Sequence, residues 1–232
     1  MRPAGIRYIL LVILYICIYV PLAKGQAANL YITPSGTSTG NCPTGANTHT
    51  TTFFNNPSNW GIGSGQLGPS TIVLLCGNFS GAAGTNLLTT QVSGTSGHPI
   101  TILFDTGTNL TSPAWAGNGV GAITISGSYI IVDGGATCGW VNNALVPCNG
   151  TIQNTSAGTN FTTPDTGLNQ NCGGQSGPGN FSFCSDAIWA VGCSPGCEIR
   201  NLTMKNMYVR TSQTDFLPNA GSVNGVNLYS ST

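Results

Sequence analysis

Gly121-Ala-Ile-Thr-Ile-Ser-Gly-Ser-Tyr-Ile-Ile-Val-Asp-Gly-Gly135 holds two short apolar runs, Ala122–Ile125 and Tyr129–Val132. A turn signal closes each: Ser126-Gly127-Ser128 after the first, Asp133-Gly134-Gly135 after the second. Runs of about four residues rich in Ile and Val and cut off by Gly, Ser or Asp read as β-strands. Similar runs recur at Leu30–Ile32, Thr71–Leu75, Ile100–Phe104, Thr151-Ile152, Ala187–Val191, Glu198–Met204, Met207–Val209 and Val226–Tyr229. No stretch longer than a turn or two keeps a 3.6-residue apolar period. Ile102 and Ile125 lie 23 residues apart, and Ile130 and Ile152 lie 22 apart. A repeat in the twenties predicts a solenoid whose coils bury apolar faces against one another. A β-sandwich would instead place hairpin turns every ~8–12 residues.

Composition agrees with an all-β chain. Only 5% of the 232 residues are charged, against roughly 25% in an ordinary soluble domain. Gly fills 33 positions and 40% of residues are hydrophobic, so neither a helical bundle nor a disordered polar tract fits. Formal net charge is zero. Without the first 27 residues, Arg200, Lys205 and Arg210 face six acidic residues. A nucleic-acid binder would need a basic stripe that this chain lacks, so no nucleic-acid partner is expected.

Residues 1–27 read as a secretory signal peptide. Arg2 and Arg7 precede an apolar run from Tyr8 to Leu22, and Gly25-Gln26-Ala27 places small residues before a cut at Ala28. The run is shorter than the ~20 residues of a spanning helix, so cleavage is favoured over anchoring, with no membrane association afterwards. Cys17 falls in the signal. The eight remaining cysteines, Cys42, Cys76, Cys138, Cys148, Cys172, Cys184, Cys193 and Cys197, read as disulfides in an exported chain. Eight cysteines allow 105 connectivities. Proximity favours Cys138–Cys148, Cys172–Cys184 and Cys193–Cys197, leaving Cys42 with Cys76. His49 and His98 are not at zinc-ligand spacing from any cysteine pair, so no metal site is expected. Asn-x-Ser/Thr sequons begin at Asn78, Asn109, Asn149, Asn154, Asn160, Asn180 and Asn201, acceptors only in a host that glycosylates.

Gly94-Thr-Ser-Gly-His-Pro-Ile-Thr-Ile102, followed by Gly121–Gly135, resembles right-handed parallel β-helix proteins of the pectate-lyase-like superfamily. Ala187–Met204 resembles the same proteins in its strand, tight turn and strand with Asn201 at the bend. Leu30–Gly36 resembles their first strand and Thr71–Gly81 their first coil. Together these stretches span most of residues 28–232. The resemblance implies an all-β right-handed parallel β-helix over 28–232 that acts on or binds extracellular polysaccharide. The superfamily includes lyases, glycoside hydrolases and non-catalytic adhesins, so enzyme and non-enzyme both stay open. Residues 37–66 read as a cap region and 153–185 as a loop excursion. Val226–Thr232 reads as the start of a further coil without a polar cap, so a truncated C-terminal end is expected.

The catalytic candidates are Asp186, Arg210 and Asp215. Glycoside hydrolysis uses two carboxylates about 5–9.5 Å apart, and Asp186 has no acidic neighbour in sequence, while Asp215 and Asp165 approach only through loops. For Asp186, Asp133 and Asp105 the commoner reading is a strand-end carboxylate bonding turn amides. A lyase would add Ca²⁺ and a basic proton acceptor such as Arg200 or Arg210, yet no acidic cluster stands ready to hold the ion. No cofactor is otherwise implied. Trp189 alternates with Ile188 and Ala190, which places its ring on the outer face. Tyr208 alternates the same way beside Val209. Both are candidate sugar-stacking residues, the rival for Trp189 being a satellite core beneath the 153–185 loop. Asn201 and Asn206 read as structural residues at strand ends. The leading expectation is a secreted protein with a polysaccharide partner, either a lyase or hydrolase or a non-catalytic relative. The alternative is an adhesin or surface stalk.

Overall fold

The computed structural model describes residues 29–82, 84–113, 115, 121–135, 138–141, 144–155, 185–207 and 223–229. Residues 1–27, read above as a signal peptide, lie outside the described residues, as do most of 153–185, Cys172 and Cys184. Among the described residues no helix is long and apolar enough to cross a membrane.

The chain is all-β and its main sheets are parallel. In chain order the strands are β1 (Leu30–Ile32), β2 (Thr48–His49), β3 (Ile72–Leu75), β4 (Asn78–Ser80), β5 (Leu88–Thr89), β6 (Ile100–Phe104), β7 (Asn109–Ser112) and β8 (Ile123–Ser126). They continue with β9 (Ile130–Asp133), β10 (Gly139–Val141), β11 (Ala144–Val146), β12 (Gly150–Asn154), β13 (Ser185–Val191), β14 (Glu198–Arg200), β15 (Leu202–Lys205) and β16 (Val223–Tyr229). Sheet one runs β14-β9-β6-β3-β1-β2, sheet two β15-β12-β7-β4 and sheet three β16-β13-β8-β5. Taken as β3-β4-β5, β6-β7-β8, β9-β12-β13 and β14-β15-β16, the strands visit the three sheets in the same order four times, a topology compatible with a solenoid. The β10-β11 antiparallel pair is a hairpin inserted in the third circuit.

Register explains why short strands suffice. Leu30, Val73, Ile102, Val132 and Ile199 stand side by side on successive strands of sheet one. Phe79, Leu110, Ile152 and Met204 do so in sheet two. Leu88, Ile123, Ile188 and Val226 form the third ladder. The ladders merge into one core with Leu75, Phe104, Ile125 and Ala190. In the fourth circuit the same positions are more open: Ile199 and Met204 are half-buried and Val226 is 36% exposed.

The stacking repeat differs from the one expected. Val73, Ile102 and Val132 are neighbours at spacings of 29 and 30 residues. Ile102 and Ile125 belong to different sheets of one circuit, as do Ile130 and Ile152. The 22–23-residue spacing therefore measures the distance between sides of a circuit, because each circuit has three sides of unequal length.

Residues 37–66 contain β2, the five-residue helix α1 (Thr51–Asn55) and a 3₁₀ turn (Pro57–Asn59). So short a helix is marginal alone. It is held by Phe54, which is fully buried and meets Trp60 edge-on at 4.9 Å. Asn55 then imitates a strand residue: its amide donates to the Leu87 carbonyl at 2.8 Å and its Oδ1 accepts from Thr89 N–H at 2.9 Å. That pairing covers backbone groups of β5 that would otherwise face open.

Disulfides join Cys42 to Cys76, Cys138 to Cys148 and Cys193 to Cys197. The first ties the cap to the end of β3, across 34 residues. Of the sequons, Asn78 is exposed. Asn154 is fully buried, its Oδ1 accepting from Trp115 N–H at 3.0 Å and its amide donating to the Asn206 carbonyl at 3.0 Å. A glycan at Asn154 is incompatible with this packing.

Candidate functional site

Strand β13 sets the orientation of Trp189. Ile188 and Ala190 are buried at 0% and 1% exposure and stack on Ile123 and Ile125 of β8. Trp189 between them faces the other way, in register with Thr124 on one side and Asn227 on the other. Its ring is half-buried, and its indole N–H is shielded from solvent. What Trp189 can offer a ligand is therefore ring surface, not the N–H. Tyr208 lies outside the described residues.

Asp186 is fully buried, so its carboxylate cannot reach a polymer in solution. A long side that buries Asp186, Ala187 and Ile188 in succession departs from simple alternation. Arg210, Asp215 and Asp165 lie outside the described residues.

The charged groups that do meet are on sheet one. Asp133 ends β9 and stands beside Arg200 of β14. Its Oδ2 accepts from Arg200 Nε at 2.7 Å, and its Oδ1 accepts from Asn201 Nδ2 at 3.1 Å and from its own turn, Gly135 N–H, at 3.0 Å. Arg200 Nη1 also donates to Glu198 Oε1 at 2.8 Å. Burial pushes the Asp133 carboxyl up, but the bonds from Arg200, Asn201 and Gly135, with the Arg200 charge, outweigh it and hold the group below its ordinary value. The bond to Asp133 in turn raises the Arg200 guanidinium.

Two carboxylates on one guanidinium superficially suggest a hydrolase pair. A glycosidase needs one of them protonated near neutral pH, hence a raised pKa. Asp133 is shifted the other way, which bars it from the acid role though not from the ionised one. Arg200 is likewise unsuited to accept a proton, because both its partners stabilise the cation. The cluster is a clamp between the third and fourth circuits. Asp105 does similar work at the cap, accepting from Asn41 N–H at 2.9 Å and from the Asn41 amide at 2.6 Å. Asp133 thus bonds its own turn as expected, whereas Asp105 reaches a residue 64 positions away. Asn206 donates to the Asn154 carbonyl at 3.3 Å and Asn201 to a carboxylate, both in left-handed backbone at φ 57° and 52°. Among the described residues no three His, Cys, Asp or Glu side chains converge as metal ligands would.

Because Asp133 has a lower pKa folded than unfolded, its contribution is complete above the unfolded value of about 3.9 and is lost as pH falls through the folded value. Asp133→Asn should cost about 1–3 kcal/mol at pH 7, the usual worth of hydrogen bonds to a charged group. Denaturant titrations should show the difference from wild type shrinking as pH falls below about 4. A difference independent of pH would contradict the clamp.

Sequence reading did not anticipate the clamp, since its partners are 67 residues apart and only register joins them. Nor did it anticipate a pairing in the cap, where His49 stacks on Phe53 with centroids 3.7 Å apart. The i, i+4 spacing was the one available signal. Comparison with protein-family models, curated proteins and solved structures finds no match to this chain.

Proposed function

We propose that the chain is an exported right-handed parallel β-helix, similar to pectate-lyase-like proteins, that binds extracellular polysaccharide on its outer strand face. The observation that carries this is the half-buried Trp189 ring on sheet three, which faces away from the buried Ile188 and Ala190. An aromatic face supplies apolar contact to a sugar ring. Right-handed winding follows from the strong preference of parallel crossovers for that hand. Three disulfides accord with an oxidising compartment, and the signal-like residues 1–27 supply the route.

Binding is favoured over cleavage because Asp186 is buried and both oxygens of Asp133 are taken up by Arg200, Asn201 and Gly135. Such binding needs no cofactor; Ca²⁺ enters only with lyase chemistry. The stalk reading is favoured by a different observation, the apolar ladder crossing five strands of sheet one together with its cross-circuit clamp.

A polysaccharide array probed with the secreted protein separates the two. Trp189→Ala should weaken binding at least tenfold, while destabilising by less than the ~3–5 kcal/mol of a core tryptophan. Loss of stability of that full size with unchanged binding would make the ring a packing element. If wild type binds no polysaccharide, the stalk reading takes over.

A further inference from the structure

We infer that the N-terminal cap carries a second ligand site, separate from the outer strand face, for an uncharged saccharide. A cavity of about 480 Å³ opens beside β1, β2 and α1, walled by Asn29, Asn47, His49, Phe53, Ser64 and Gln66 among others. Its volume lies in the range of small-ligand sites, about 300–1,000 Å³. No Asp, Glu, Lys or Arg is among its lining residues.

The stacked His49–Phe53 pair forms one wall, rings 7° from parallel. Each covers one face of the other, leaving outer faces and edges for the C–H surface of a sugar. Burial lowers the His49 pKa, so the imidazole is neutral at pH 7. A carboxylate or phosphate would then shed water without gaining a charge partner, which disfavours acidic ligands. Polar groups are present for a neutral one. Asn29 commits its Oδ1 to Ile72 N–H at 2.9 Å, which leaves its NH₂ to donate. Asn47 is exposed and uses its backbone carbonyl, not its amide, to accept from Tyr31 N–H.

The opposite wall is held in place before any ligand arrives. Gln66 accepts from Gly63 N–H at 2.9 Å and donates to the Ser58 carbonyl at 3.1 Å. Gly61 N–H reaches the Leu67 carbonyl at 2.8 Å, closing the loop that carries Ser64. A wall fixed by its own hydrogen bonds loses little freedom on binding.

The inference does not depend on polysaccharide binding at Trp189. The test is a nuclear magnetic resonance titration of the secreted protein with glucose, galactose, mannose, xylose and N-acetylglucosamine. Glucuronate, galacturonate, glucose 6-phosphate and adenosine serve as comparisons. At least one neutral sugar should shift the signals of Asn47, His49 and Phe53, and should do so equally in Trp189→Ala. Asn47→Ala should weaken that binding at least tenfold with an unchanged melting temperature, and the matching uronate should bind at least tenfold more weakly. Ser64→Ala gives the same reading should Asn47→Ala fold poorly. Absence of any shift by a neutral sugar overturns the inference. So does equal binding of the uronate or phosphate, preference for adenosine, or shifts confined to Trp189.

Discussion

Alanine at Gly134 is expected to cost about 3 kcal/mol or more, beyond the usual overpacking penalty of about 1–3 kcal/mol. A Cβ there would overlap the Asn201 carbonyl oxygen and press on Leu202 Cα. Both are backbone atoms of the next circuit, and no rotamer change relieves the contact. Gly134 N–H also donates to the Arg200 carbonyl at 2.9 Å, and its own carbonyl accepts from Gly150 N–H at 2.8 Å. Circuits three and four must part, or the clamp from Arg200 to Asp133 must break. At about 2–4 °C per kcal/mol for a chain of this size, the melting temperature should fall by roughly 6–12 °C. Gly196→Ala is the control, since a Cβ at Gly196 meets nothing within 4 Å. Equal melting temperatures for the two variants would show that the circuits are not in this contact.

Replacing both Cys42 and Cys76 with alanine is expected to cost about 3–4 kcal/mol, the loop-entropy value for a closure of this length. The bridge spans 34 residues, which include β2, α1 and the buried Phe54 and Trp60. Without it the cap depends on Asp105 holding Asn41, on Asn55 pairing with β5 and on the buried aromatics. Hydrogen exchange should then rise first in residues 41–60, ahead of sheet one. Uniform protection across cap and sheet, with no loss of stability, would contradict a cap joined to the circuits at these points.

Strands built from apolar runs were legible, whereas β4, β5 and β7, each with a single apolar residue, were not. Ile100–Phe104 alternates buried and half-buried over five residues, and its periodicity declares it. Strand β4 has a single inward residue, Phe79, between two exposed ones. Strand β5 has two residues, and β7 mixes Asn, Thr and Ser with its one leucine. Those segments are strands because a neighbour in the stack presents matching hydrogen bonds, a condition no local pattern records. The same holds for α1, which Phe54 anchors in the core. The repeat length was misjudged because apolar positions on different sides of a circuit look alike in sequence.

The site divides the same way. Alternation accounts for Trp189 facing away from Ile188 and Ala190, but not for its being half-buried with a shielded N–H. Asp186 read as a carboxylate at an edge yet is wholly buried, because its strand begins two residues before the apolar run does. The Asp133–Arg200 clamp and the cap cavity assemble residues far apart or in irregular backbone, where only the three-dimensional register brings them together.

The central claim is that successive circuits stack in parallel, each strand beside the one a full circuit away. Nuclear Overhauser contacts in uniformly ¹³C,¹⁵N-labelled protein test it most directly. Contacts should link Val73 to Ile102 and Ile102 to Val132 in sheet one, with Phe79 to Leu110 and Leu110 to Ile152 in sheet two. Antiparallel Hα–Hα contacts between Ile123–Ser126 and Ile130–Asp133 across the Gly127 turn would instead mean a hairpin, and would contradict the stacked circuits.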